Sequence, residues 1–320
     1  VNFVGYTPAN YVYSEKIESY TNYYSLGTIF LDVIADPRYV NGEGFGINKS
    51  NGTSVQTNFG NLNVYQSPSL PVIIKSSFSG TSVSGSLLGL GYDHEIKIDY
   101  INHLNSTVTL SDTTFYGISQ LLVQKQITSD QLQNTSSISI NSVHNTAFFP
   151  YNNTTNIRYT YLKYPQIPDF LNSSEQTFFV DNSSSGTKTY LDIQNVNVGS
   201  SQVLLYDLTN HKYITTIVNA GNVKALVPNS GSQKECFLTT TANVNYVASL
   251  KPVNQTGYYV NYRTSNTDSA FIIVTHKKLA ATAIDYKNYR QSSDGGSHNV
   301  IMADVDDLYD QFAYGNVKNP

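Results

Sequence analysis

Along most of the chain, apolar and polar residues alternate in short runs separated by turn residues, the pattern of strands in a sandwich or barrel. In EIKIDYI (95–101), Ile96, Ile98 and Tyr100 fall on one face and Glu95, Lys97 and Asp99 on the other. PVIIKSSF (71–78) and NIRYTYLKYP (156–165) predict two more strands, the second ended by Pro165, which cannot donate to a ladder. QTFFVDNSSSGTKTYLDI (176–193) predicts a hairpin looping through Asp181 to Gly186. QVLLYDLTNHKYITTIV (202–218) predicts another, turning at Thr209 to Lys212. No fixed repeat period emerges, which argues against a solenoid or propeller.

After Ser269 the pattern changes. Phe271 to Val274 is a continuous apolar run, expected of a parallel strand buried on both faces. Lys277 to Arg290 then lacks Gly and Pro and places Leu279, Ala280, Ala283 and Ile284 on one stripe of a helix. SSDGG (292–296) ends that helix. NVIMADV (299–305) predicts a second apolar strand, and Asp306 is placed to cap a short helix closed by Gly315. Strand, helix and strand in that order form a βαβ unit, the opening of an α/β domain. Its apolar faces call for cover: the Leu279, Ala283 and Ile284 face is expected to pack on the strands, and a further module, a second copy or a separate chain to close the open edge.

Composition narrows the class. Charged residues are 13%, about half the usual share, while 26 Tyr and 14 Phe with no Trp supply the aromatic surface. That is the flavour of secreted β-rich proteins. A net charge of −4 offers no basic stripe to neutralise phosphates, so nucleic acid is not an expected partner. No 18-residue apolar run is present, so no transmembrane helix is expected. Val1 opens no charged segment followed by an apolar one, and a signal peptide is expected to have been removed.

Candidate chemistry is sparse. Cys236 is the sole cysteine, which excludes an intramolecular disulfide and a cysteine metal cluster. As a nucleophile it would need a base from His94, His103, His144, His211, His276 or His298. Its strand-like setting, ECFLTTT, favours a small core residue instead. His276 falls at the carboxyl end of the first parallel strand, where α/β folds place their sites, although the lysines after it suit a helix entry. Asp304, Asp306, Asp307 and Asp310 depart from a calcium-loop pattern and suit a helix N-terminus. NGEGFG (41–46) follows no buried strand and opens no helix, so it is not a phosphate loop. No catalytic, cofactor or metal residue is therefore assigned.

The tail, FIIVTHKKLAATAIDYKNYRQ to NVIMADVDDLYDQFAYGNVKNP, resembles the start of the catalytic domain of gingipain-like cysteine peptidases, most nearly those like the sortase subunit of the type IX secretion system. The matching positions are Phe271 to Thr275, Tyr289-Arg290, Val300 to Val305, and Leu308 to Phe312 running on to Gly315 and Pro320. Upstream, NGEGF resembles a family strand, with Gly44 and Phe45 in place and both aromatic neighbours missing. LLYDLTNHK resembles a family Trp-Asp-Val-Thr segment, with Tyr206 standing for the Trp.

The resemblance implies a mainly β fold, a jelly-roll-like antiparallel sandwich, followed by the first βαβ unit of a truncated caspase-like α/β domain. Residues 1–200 are expected to form the sandwich, 201–268 a further β segment or small second β module, and 269–320 the start of the peptidase domain. It also implies a catalytic His and Cys beyond Pro320, so that these residues alone are inactive. The expected protein is a secreted or surface cysteine endopeptidase or sortase-type transpeptidase acting on proteins, in contact with secretion or surface components and without a cofactor. The resemblance leaves room for calcium in the intact peptidase, but no motif here supports it. The competing reading is a non-enzymatic adhesin or carbohydrate-binding β-sandwich protein, with a structural surface protein behind it.

Overall fold

The computed structural model describes residues 1–27, 29–30, 34–35, 39–50, 52–83, 89, 91–133, 136–142, 154–250, 252–253, 257–265 and 267–315. The early strands are β1 (Val12–Ser19), β2 (Tyr23–Leu26), β3 (Ile29–Phe30), β4 (Ile34–Ala35), β5 (Glu43–Ser50), β6 (Ser54–Phe59) and β7 (Pro71–Gly80). Then come β8 (His94–Ile101), β9 (Thr107–Phe115), β10 (Gln120–Thr128), β11 (Ser136–Ser142), β12 (Thr154–Gln166), β13 (Gln176–Val180) and β14 (Lys188–Ile193). They continue as β15 (Val203–Asp207), β16 (Lys212–Ile214), β17 (Thr216–Asn219), β18 (Asn222–Pro228), β19 (Lys234–Thr240), β20 (Phe271–Thr275) and β21 (Val300–Asp304). Helix α1 (Ala280–Gln291) joins the last two strands, and α2 (Val305–Ala313) follows them.

The chain divides into two compact units, Val1–Asn245 and Tyr246–Pro320. In the first, one sheet runs β10-β7-β12-β1-β13-β19-β15-β16, with β5 and β2 joined to it through β12. Smaller sheets, β6-β11-β8-β9 and β14-β18-β17, stand apart from it. The cores explain the arrangement. Ile74 and Phe78 of β7 and Leu162 and Tyr164 of β12 pack in one cluster with Ile96, Ile98 and Tyr100 of β8. Phe178 and Val180 of β13 and Leu205 of β15 pack in another with Leu191 and Ile193 of β14 and Val223, Ala225 and Val227 of β18. One long sheet thus serves as the shared wall of two sandwiches, each closed by its own smaller sheet. The expected mainly antiparallel β fold is present, and the alternation in EIKIDYI sets its inner face as read.

Two local expectations change. Strand β12 continues past Pro165, because the Pro165 carbonyl accepts from the Tyr65 N–H at 2.9 Å on the side away from β1. Its missing N–H points the same way, so the ladder to β1 loses no bond. The 176–193 stretch is not a hairpin: β13 pairs with β1 and β19, whereas β14 pairs with β18. The Asp181 to Gly186 loop crosses between sheets instead. The 202–218 stretch does turn back as read, with Asp207 opposite Lys212.

In the unit Tyr246–Pro320, β20 and β21 are parallel, Phe271 opposite Val300 through Thr275 opposite Asp304. A 3-10 turn, Lys277–Leu279, leads into α1. The helix ends where Ser292 N–H bonds to the Asn288 and Tyr289 carbonyls and Gly295 packs so close that a Cβ would lie 1.8 Å from the Tyr289 oxygen. The inner stripe of α1 is not the expected one. Leu279 and Ile284 are 62% and 44% exposed, and Ala280, Ala283, Lys287 and Arg290 form the half-buried row. Nor is β20 buried on both faces: Ile272 and Val274 are 65% and 56% exposed. Two strands and one crossover helix cover a single face.

Candidate functional site

In parallel α/β units, chemistry gathers where the strands end and the next helices begin. Here that edge holds His276 after β20, and Asp304 and Asp306 at the β21–α2 junction. Asp304, rather than Asp306, caps α2: its Oδ1 accepts from the Asp306 N–H at 2.8 Å. Asp306 is left free to pair, and its Oδ2 lies 3.4 Å from His276 Nε2 and 3.1 Å from Lys277 Nζ. On the other side of the ring, His276 Nδ1 accepts from the Lys278 N–H at 3.1 Å. Nδ1 is therefore the acceptor nitrogen, and Nε2 is the one turned toward Asp306. Both ring nitrogens thus face partners within the strand-to-helix turn, which His276 helps to orient. Asp306 in turn raises the Lys277 pKa, through its hydrogen bond first and its charge second.

The face of the βαβ sheet opposite α1 carries an apolar groove lined by Tyr262, Ile272, Val274, Ile301, Leu308 and Phe312. It offers almost no polar group, so it suits packing rather than chemistry.

The remaining candidates lie elsewhere. Cys236 is wholly buried on β19, and burial pushes its thiol up to about 12, with the Asp207 carboxylate adding to the effect. A thiol held neutral is a poor nucleophile. His94 is wholly buried in the other core, its Nε2 3.0 Å from both the Ser82 and Gly117 carbonyls and its ring stacked on Phe115. His211 occupies the β15–β16 turn at φ 53°, and His103 is exposed beside the β8–β9 turn. His298 accepts from the Arg290 guanidinium at 2.8 Å. His144 lies outside the described residues, as do 316–320 of the tail motif. Asp307 and Asp310 sit on α2, Asp307 in its first turn. No group of three or more potential metal ligands occurs among the described residues.

Nothing in the local pattern around Lys234 singles it out. It is wholly buried one strand position pair from Cys236, donates to Asn182 Oδ1 at 2.5 Å, and has its pKa lowered by desolvation. The upstream motif segments have structural roles. Asp207 accepts from the Asn210 N–H at 3.0 Å and from its side-chain amide at 2.7 Å, closing the β15–β16 turn. Gly44, at φ 140°, leaves room for the Arg158 guanidinium, whose nitrogen would lie 2.0 Å from a Cβ there.

Comparison with known proteins decides the character of the tail. Residues 264–319 match Peptidase family C25. The gingipain-like resemblance of the tail therefore holds. The fold agrees: the chain superposes on dimeric latent PorU from Porphyromonas gingivalis with a TM-score of 0.57 and 11% identity, covering 97% of this chain and 27% of that one. The chain thus spans about a quarter of the length of the solved structure it matches. Lesser likenesses carry no argument. The insecticidal delta-endotoxin Cry8Ea1 from Bacillus thuringiensis gives a TM-score of 0.25 at 13% identity, over 38% of this chain and 20% of that one. The CBM36-1 domain of a multidomain xylanase from the hindgut metagenome of Trinervitermes trinervoides gives 0.25 at 10%, over 47% and 96%. No curated protein sequence matches the chain.

Proposed function

We propose that the intact polypeptide is a secreted cysteine endopeptidase, or a sortase-type transpeptidase, of the gingipain kind, and that these residues are its amino-terminal β portion with the first βαβ of its catalytic domain. The observation that carries the reading is the coincidence, in one segment, of the family C25 match with a parallel strand pair crossed by a helix. The exposed Ile272 and Val274 face supports it, being the kind of surface that further helices of a caspase-like sheet would cover. In this reading the catalytic His and Cys come from parallel strands beyond Pro320. A thiolate attacks the peptide carbonyl, the His serves as base, and backbone N–H groups hold the oxyanion. Polypeptides are the substrates, and the outer cell surface or the medium is the place of action. The test is labelling by a thiol-directed affinity probe of the chain extended through the encoded residues after Pro320. Labelling of one cysteine beyond Pro320, absent from the 320-residue protein, is expected; labelling confined to Cys236 would refute the proposal.

A further inference from the structure

Strand β12 changes neighbours at Arg158. On one side it pairs with β5 over Thr154–Ile157 and with β1 from Tyr159 onward. On the other it stays with β7, where Ile157 stands opposite Phe78 and Tyr159 opposite Ser77, so Arg158 is the extra residue of a β-bulge. A bulge re-aims its side chain, and β5 clears the place for this one: a Cβ on Gly44 would lie 2.0 Å from Arg158 Nη2. Where β5 and β1 part, Tyr20, Tyr39, Phe45 and Tyr159 line an open cavity of ≈380 Å³ together with Arg158.

The guanidinium is held in place without being neutralised. Its Nη2 donates to the Glu43 carbonyl at 2.9 Å and lies 3.4 Å from the Tyr39 hydroxyl. Nε and Nη1 bond to nothing among the described residues, and no carboxylate there pairs with the group. The Glu43 carboxylate accepts instead from the Tyr24 hydroxyl and the Val40 N–H. A half-buried cation fixed by a bulge, a glycine and a main-chain carbonyl, with donors to spare, is a receptor for an anion. Arg158 is the only Lys or Arg among the described residues lining the cavity. That suits a singly charged carboxylate better than a phosphate carrying nearly two charges.

The walls decide what carries the carboxylate. Four aromatic rings stand among short polar groups, Ser77 and Gln120 among them, and Phe45 is 52% exposed. Such walls suit a body with an apolar face and a polar rim, and a pyranose ring has both. An extended peptide would need a free strand edge, whereas β12 is paired on both sides before and after Arg158. We propose that this cavity binds a carboxylated saccharide, a uronate unit whose carboxylate takes the free donors of Arg158 while its ring rests against the aromatic walls. The site lies within Val1–Asn245 and does not depend on the chemistry of the tail.

The test titrates the 320-residue protein calorimetrically, at low salt, with galacturonate and mannuronate trisaccharides, their methyl esters, and a short peptide with a free carboxyl end. At least one uronate is expected to bind, at least about tenfold more tightly than its ester and than the peptide. Arg158→Gln is expected to weaken that uronate at least about tenfold, and added salt to weaken it in the parent. If Arg158→Gln misfolds, Phe45→Ala replaces it: it truncates an exposed side chain and is expected to weaken the same uronate several-fold. Binding of neither uronate at about 1 mM, equal binding of acid and ester, an affinity unchanged in a folded variant, or tighter binding of the peptide would overturn the proposal.

Discussion

The Arg290 guanidinium, in the last turn of α1, lies over the ring of Phe271, the first residue of β20, 4.5 Å from its centroid. The same side chain donates to His298, just before β21, at 2.8 Å. One residue thus ties helix, first strand and second strand together. A half-buried cation–π contact contributes about 1 kcal/mol, and the hydrogen bond a similar amount. Arg290→Ala is expected to cost about 2 kcal/mol in the unit Tyr246–Pro320 alone, read as faster amide exchange at Phe271–Thr275 with β12 unchanged.

The exposure of α1 inverts part of the stripe read from sequence, and two substitutions separate the alternatives. Ala283→Asp sets a charge in the half-buried row and is expected to cost about 1–3 kcal/mol in this unit. Ile284→Lys acts on an exposed side chain and is expected to change stability by less than about 0.5 kcal/mol. Chemical denaturation followed through the tail amides checks both; equal costs would mean that the helix turns the other stripe inward.

Asp207 is 1% exposed and both its oxygens are spent on Asn210. Asp207→Ala leaves the Asn210 amides without that acceptor and is expected to cost about 2 kcal/mol of the Val1–Asn245 transition, with fraying centred on Asp207–Lys212. Thermal unfolding and exchange at the turn provide the check.

Burial raises the Cys236 thiol from its ordinary 9.0 to about 12. The folded state therefore holds the thiol proton where the unfolded state has released it. Stability from this group is complete below pH 9 and falls as pH rises toward 12, at up to about 1.4 kcal/mol per pH unit. Tyr11 and Tyr13, raised to about 12 mainly by burial, act in the same direction. Comparing the alkaline unfolding of the parent with that of Cys236→Ala isolates the cysteine share: the variant is expected to lose stability less steeply above pH 9. At neutral pH Cys236 should react with a thiol reagent only at the rate of unfolding.

Local patterning made much of this fold readable, because a period of two and a continuous apolar run each record which faces are buried. Ile96, Ile98 and Tyr100 are all in the core, and both strands of the tail begin and end within one residue of the stretches read from sequence. What local pattern does not record is the partner. QTFFVDNSSSGTKTYLDI has the turn chemistry of a hairpin, yet its two strands belong to opposite walls of one sandwich, because the sheets select partners from β19 and β18, far along the chain. Pro165 misled for a related reason: a missing donor ends a strand only if the donor faced a neighbour. At the tail, His276 could be placed at the strand end from sequence, but its pairing with Asp306 needed the parallel register of β20 and β21. Lys234 was hidden because its burial depends on Asn182, in a loop that crosses between sheets.

The central claim is that this chain is the non-catalytic front of a thiol peptidase. Peptide cleavage tests it most directly, with the 320-residue protein and the chain extended through the encoded residues after Pro320 assayed side by side on an unstructured protein substrate, with and without reductant. The account predicts no cleavage by the 320-residue protein, reductant-dependent cleavage by the extended chain, and no loss of that activity in Cys236→Ser. Cleavage by the 320-residue protein that Cys236→Ser abolishes, or an extended chain inert under reducing conditions, would contradict it.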